Sequence, residues 1–254
     1  MKKLFVILAA MFLLLNISCS SGGGGGSDNH STSPTSIDAT GAWRGSYDST
    51  VSGTQTIELD IQQNGAKITG TYISSAGGTG TFSGSISGNA ASVMITIKNP
   101  DCAGSLNGTG TIDTQTSPNK MSIQFNGSTA CGGDESGTGS LEKQTATTVN
   151  ATGTWQGVVT GVGNITLDIQ QNGSALTGTF SSATFGASGS LSGSASGHTC
   201  TVIMNVTNPP NYTGSLDVTS IINTLTDPET MVFQYDGSLA PIGNVNGNGV
   251  LEKQ

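Results

Sequence analysis

The sequence predicts an all-β protein built as two tandem eight-stranded antiparallel up-and-down β-barrels, and three observations carry that expectation. A set of short blocks occurs twice in the same order, apolar residues alternate along each copy, and the breaks between alternating runs are too short for parallel crossovers. Helical periodicity is absent beyond the N-terminal apolar stretch.

The repeat comes first because it sets the domain plan. Ala39-Thr40-Gly41-Ala42-Trp43-Arg44-Gly45 returns as Ala151-Thr152-Gly153-Thr154-Trp155-Gln156-Gly157. Leu59-Asp60-Ile61-Gln62-Gln63-Asn64-Gly65 returns unchanged from Leu167 to Gly173, Thr69-Gly70-Thr71-Tyr72 returns as Thr177-Gly178-Thr179-Phe180, and Leu141-Glu142-Lys143-Gln144 closes the chain again as Leu251-Glu252-Lys253-Gln254. Four blocks in one order define modules over 39–144 and 151–254, joined by a linker over 145–150, each of ordinary size for a small domain.

Within the first module a strand starting at Trp43 leads to Ile57, Leu59 and Ile61, which share one face while Glu58, Asp60 and Gln62 take the other. Asn64-Gly65 and Asn172-Gly173 supply the positive φ angles of a two-residue hairpin turn. The alternation continues through Ile68, Gly70 and Tyr72, then Phe82, Gly84 and Ile86, then Val93, Ile95 and Ile97. Asn99-Pro100, and Asn208-Pro209 in the second copy, break the chain before a sixth strand with Leu106 and Ile112, a seventh with Met121, Ile123 and Phe125, and an eighth with Leu141. Eight strands in a meander can close on themselves and leave no edge exposed.

The N-terminus reads as an export signal. Lys2 and Lys3 precede an apolar stretch from Leu4 to Leu15, and the small-residue region Ile17-Ser18 precedes Cys19. About a dozen residues are too few to span a bilayer as a helix. The pattern resembles the bacterial lipobox, with Asn16 standing where that motif usually has Leu. The resemblance implies a lipoprotein signal peptide over 1–18 and Cys19 as the first mature residue, carrying palmitate-type acyl chains that anchor the protein to a membrane. A plain secretory peptide with an incidental cysteine is the alternative. Residues 19–38, with Gly22 to Gly26 and many Ser, Asp and Thr, read as a flexible tether. Ser20 after the cysteine implies, by the same resemblance, outer-membrane sorting within the cell envelope of a Gram-negative host.

The formal charge is -8, and without Lys2 and Lys3 the remaining 6 basic and 16 acidic residues give -10. That balance excludes nucleic acid as a partner. The scattered carboxylates serve solubility.

Gly-x-Trp on the first strand, at Trp43 and Trp155, with Thr-Gly-Thr-Tyr/Phe on the third, is similar to the calycin barrels, the group that holds lipocalins and avidins. The resemblance implies a basic side chain from the last strand lying over the tryptophan. Parity allows the same geometry independently: Lys143 lies two residues from Leu141 and shares its face, and Lys253, the sole basic residue of the second module, stands in the matching place. Trp43 with Lys143 and Trp155 with Lys253 are therefore the expected barrel-closing pairs, each cation over an indole being worth about 1 kcal/mol. An exposed terminal lysine is the alternative. The avidin side of the resemblance makes Ser49, Tyr72 and Ser74 the candidate ligand-facing residues. It also implies that biotin is not bound, because Gly45 and Gly157 stand where that group has an asparagine, Phe180 replaces the tyrosine in the second copy, and no further tryptophans exist to sandwich the ligand.

Cys102 and Cys131 fall in the fifth-to-sixth and seventh-to-eighth connections, which a meander puts at one barrel end, so they are candidates for a disulfide in an oxidising compartment. Cys200, at a strand start matching Ala91, reads as a small buried hydrophobe. A catalytic serine or cysteine needs a nearby base. Of the two histidines, His30 falls in the tether and His198 in a Gly/Ser-rich turn without a counterpart in the first module. Asp134-Glu135 reads as a loop pair, also unmatched. No motif has metal-ligand spacing, and no cofactor is expected. The expectation is a non-catalytic, lipid-anchored envelope protein. Either its barrels take a small apolar or amphipathic ligand, or Ile57, Leu59, Ile61, Phe82, Ile95, Met121, Ile123 and Phe125 fill the interior and the barrels act as spacer or contact surface. A cavity of about 300 Å³ or more separates the two.

Overall fold

The computed structural model describes residues 37–98, 102–145, 147–184, 186–208 and 212–254. The signal peptide, Cys19, the tether up to residue 36, His30, Asn99-Pro100 and Pro209 lie outside the described residues.

The described chain holds sixteen β-strands and no helix. In the first barrel these are β1 (Gly41–Ser49), β2 (Gly53–Asn64), β3 (Lys67–Ser74), β4 (Thr79–Ser87), β5 (Ala90–Ile97), β6 (Gly104–Asp113), β7 (Lys120–Thr129) and β8 (Gly133–Gln144). In the second they are β9 (Gly153–Val159), β10 (Gly163–Asn172), β11 (Ala175–Ser182), β12 (Ala187–Ser196), β13 (Thr199–Asn208), β14 (Thr213–Asn223), β15 (Thr230–Ala240) and β16 (Gly243–Lys253). Each strand pairs antiparallel with the next, and β8 returns to β1 as β16 returns to β9. Both barrels are closed, so every strand has two neighbours and no ladder edge faces solvent.

The hairpin turns fall one residue later than the Asn64-Gly65 and Asn172-Gly173 pairs expected from sequence: among the described residues only glycines take a positive φ, the two asparagines end β2 and β10, and the two-residue loops are Gly65-Ala66 and Gly173-Ser174. Asn64 pairs with Lys67 and Asn172 with Ala175, and the hairpin glycines Gly65 and Gly173 take φ of +61° and +62°. That fixes which residues point inward, since a one-residue slip would turn Ile57, Leu59 and Ile61 out to water. Asp134 and Glu135 correct the sequence reading: they belong to β8, paired with Ser128 and Gly127, and not to a loop.

The chain entering each barrel forms part of its core. Ile37 packs against the first cluster and Val149 belongs to the second, although the sequence reading put these residues in tether and linker. The repeated glutamine explains why they stay. The Ala39 amide donates to Gln63 Oε1 and the Ala151 amide to Gln171 Oε1, each at 2.7 Å, so one block of sequence ties down the incoming strand in both copies.

Candidate functional site

The first barrel is closed at one end and hollow above it. Trp43 is fully buried, its indole Nε1 donates to the Ala39 carbonyl at 2.9 Å, and Lys143 Nζ lies 5.7 Å from the ring centroid while reaching the Asp38 carbonyl at 3.4 Å. The second barrel repeats this arrangement with Trp155, Ala151 and Lys253, whose Nζ lies 5.4 Å from the ring and 2.8 Å from Glu229. Gly45 and Gly157 share the reason they carry no side chain: a Cβ would lie 2.7 Å from Leu141 Cα in one barrel and 2.9 Å from Leu251 Cα in the other. No asparagine fits there.

Above Trp43 lies a cavity of about 360 Å³. Its walls are apolar, and Ile57, Leu59, Val93, Ile95 and Ile123 are only partly buried although they point inward. Ladder register identifies their counterparts in the second barrel as Ile165, Leu167, Val202, Met204 and Phe233. Those five are at most 6% exposed, around a void of about 80 Å³. The same inward positions are half-buried in one barrel and fully packed in the other.

The polar groups of the first barrel gather at the end opposite Trp43. Tyr47 Oη and Ser74 Oγ share a buried hydrogen bond of 2.7 Å, and the Tyr47 ring meets Phe125 edge to face at 5.7 Å between centroids. Tyr72 also lines the cavity, and its hydroxyl has no hydrogen bond among the described residues; burial pushes its pKa up. Ser49 is placed differently from Tyr72 and Ser74. It does not line the cavity; its hydroxyl donates to Glu135 Oε1 at 2.5 Å and accepts from the amides of Val51 and Ser52 at 3.1 and 3.3 Å. Glu135 itself faces the cavity. The Cys102–Cys131 disulfide, with its Cα atoms 4.9 Å apart, ties the β5–β6 and β7–β8 connections together at this mouth. In the second barrel Val245 stands where Glu135 does, each opposite a glycine of the preceding strand, and Leu239 stands at the place of Thr129.

Sequence reasoning missed a polar cluster between the barrels. His198, only 8% exposed, comes from the β12–β13 turn and meets the outer face of β2. Its amide donates to Asp60 Oδ2 at 2.8 Å, its Nε2 lies 2.9 Å from Glu58 Oε2, and its Nδ1 lies 3.2 Å from the Ile222 carbonyl. Both ring nitrogens thus face acceptors, which suits the imidazolium form. Burial opposes that charge, but the hydrogen bond His198 donates to Glu58 and the charges of Asp60 and Glu58 outweigh it and raise the His198 pKa. Glu58 is held below its ordinary value, chiefly by the His198 hydrogen bond, and Arg44 adds an ion pair at 2.7 Å. Asp60 is pushed up by burial. Asn223, fully buried, donates to the Ser74 carbonyl at 2.8 Å. The structure gives His198 a positional counterpart that the sequence reading did not find, Asn89 in the β4–β5 turn, and the signal was the change from Asn to His at that place.

Cys200 is a buried unpaired thiol whose pKa burial pushes to about 11, unsuited to nucleophilic work. Among the described residues no three His, Cys, Asp or Glu side chains come together as a metal would require. No protein-family model matches the chain, and no curated protein matches it either.

Proposed function

We propose that the chain is a lipid-anchored, non-catalytic envelope protein whose first barrel binds a small, largely apolar ligand and whose second barrel is a packed support. The difference between the two interiors carries this reading: about 360 Å³ against about 80 Å³ within one repeat. Binding pockets start near 300 Å³ and combine apolar walls with a few placed polar groups, which is the composition of the first interior. The address rests on the N-terminal pattern ending at Cys19, and a disulfide at Cys102–Cys131 suits an oxidising compartment. The non-catalytic reading is supported by the position of His198, which is engaged with Glu58 and Ile222 at the contact between barrels and does not line the cavity. The tryptophan-lysine ends are consistent with a calycin-like barrel closed on one side. Biotin is not the proposed ligand, since neither barrel has room for a side chain at Gly45 or Gly157.

Titration of the purified full chain with the neutral fluorophore N-phenyl-1-naphthylamine tests the reading. One site per chain with blue-shifted emission is the expected result, together with its loss in Gly110→Leu. A Cβ at Gly110 meets Met121 Sδ at 3.6 Å, so a larger side chain enters the cavity without striking backbone. Equal emission from wild type and Gly110→Leu would place the fluorophore elsewhere and remove the proposal.

A further inference from the structure

We infer that the first barrel selects an amphiphile with an apolar body and an amine head, held at the mouth by Glu135, and that it refuses amphiphiles with anionic heads. This rests on the binding role proposed above and deepens it. Glu135 is the one charged residue that lines the cavity among the described residues, and it makes no ion pair among them. Ser49 supplies a hydrogen bond to Oε1 alone. Lys98, just past the end of β5, is engaged elsewhere: its Nζ donates to Gln234 of the second barrel at 3.0 Å. A carboxylate at the polar mouth of an apolar cavity, with one oxygen unbonded, favours a donor and a positive charge, whereas an anionic head would meet a like charge with no cation of the lining to offset it.

A second observation points to the same place independently. Tyr72 and Ser52 both line the cavity and neither hydroxyl has a hydrogen-bond partner among the described residues, that of Ser52 being buried and that of half-buried Tyr72 not wholly so. Buried polar groups are rarely left unsatisfied in a folded protein, and those that are call for a water or a ligand. The Tyr72 hydroxyl can accept from an ammonium as readily as it donates to a neutral head, so the mouth offers Glu135 and Tyr72 together to one amine. In the second barrel Phe180 and Val245 replace Tyr72 and Glu135, and the polar mouth disappears together with the cavity.

The test is competition against bound N-phenyl-1-naphthylamine by octylamine, octanol and octanoate at neutral pH. Octylamine should displace the fluorophore at a concentration at least about 10-fold lower than octanoate, with octanol between them. The amine-to-carboxylate ratio is then taken within each variant, so that altered fluorophore affinity cancels. It should fall to about 3-fold or less in Glu135→Gln and in Glu135→Val, the latter borrowing the side chain that the second barrel carries. It should persist in Asp217→Asn, which removes a surface charge on β14. Octanoate binding as well as octylamine, or a ratio that survives both Glu135 variants, would overturn the inference while leaving the binding role intact. Failure of the fluorophore to bind the wild-type chain would overturn both.

Discussion

On the inner face of β6 the first barrel carries Gly108 and Gly110, where β14 of the second carries Val218 and Ser220. Val218 is 1% exposed, in the middle of a continuous core from Trp155 to Tyr235. Gly108 and Gly110 instead face the cavity, and the core around Trp43 is correspondingly smaller. Strand number, closure and the tryptophan end are common to both barrels, so none of these decides whether a barrel is hollow. A few inward side chains at mid-height and at the mouth do, and this is how a repeated module can keep its fold while the two copies differ in how far their interiors are filled.

The largest effect should come from the feature the barrels share. Trp43→Ala and Trp155→Ala each remove a fully buried indole, for a loss of roughly 3 to 5 kcal/mol by urea unfolding. Trp155→Ala should lie at the upper end, because its surroundings are packed and cannot relax into an existing void. Equal losses would break the comparison.

Reduction of Cys102–Cys131 should come next and should touch one barrel only. A closed loop with a sequence separation of 29 corresponds to roughly 3 to 4 kcal/mol in the chain-entropy model. Hydrogen exchange with and without reductant should show lost protection in β5 to β8 and unchanged protection in β9 to β16. Intact mass should show one bond, with Cys200 alkylated only after unfolding.

Exchanging the interiors sharpens the comparison further. Val218→Gly should cost about 2 to 3 kcal/mol, since it opens a cavity in a dry core and adds a glycine to a strand. Gly110→Val should change stability by less than about 1 kcal/mol, because the added atoms fill space already present. A large loss in Gly110→Val would mean that the first interior is narrower than it stands here.

The contact between barrels should depend on pH. His198 has a raised pKa, so its contribution is complete below its unfolded value of 6.5 and is lost as pH rises through the folded one. Glu58 is lowered, so its contribution is present above its unfolded value of 4.5 and is lost as pH falls through the folded one. Asp60 works the other way: raised by burial, it subtracts stability as it ionises. Stability should therefore peak in mildly acidic solution and decline toward alkaline pH by on the order of 1 kcal/mol. In His198→Gln that alkaline decline should flatten; a profile identical to wild type would show that the contact forms without the charge.

The smallest expected difference lies at the closed ends. Lys253→Ala should cost more than Lys143→Ala, by about 0.5 to 1 kcal/mol, because Lys253 pairs with Glu229 at 2.8 Å whereas Lys143 makes no ion pair within 4 Å among the described residues. Thermal unfolding in high salt should bring the two variants together.

Much of this molecule was fixed by local rules. Alternation of apolar residues and the repeated blocks determine strand number and inward faces, because side-chain period acts over a few residues and needs no tertiary context, whereas the turns were located to within one residue, with Gly65 and Gly173 opening them where Asn64 and Asn172 were expected to. The cysteine pair was legible for the same reason: a meander puts alternate connections at one end. What the sequence left open was volume and contact. Ile57, Leu59, Ile95 and Ile123 were read as residues able to fill a barrel, and whether they meet across it depends on Gly108 and Gly110 opposite them. Glu135 and Asp134 looked like a loop because their charge hides the strand period, and only pairing with Gly127 and Ser128 turns Glu135 into the cavity. His198 looked like a turn residue, and became buried through docking against Glu58 and Asp60, 140 and 138 residues earlier in the chain. Cavities and contacts between modules are sums over groups far apart in sequence, which no local period encodes, so they were decided only once the strands had closed and the barrels had met.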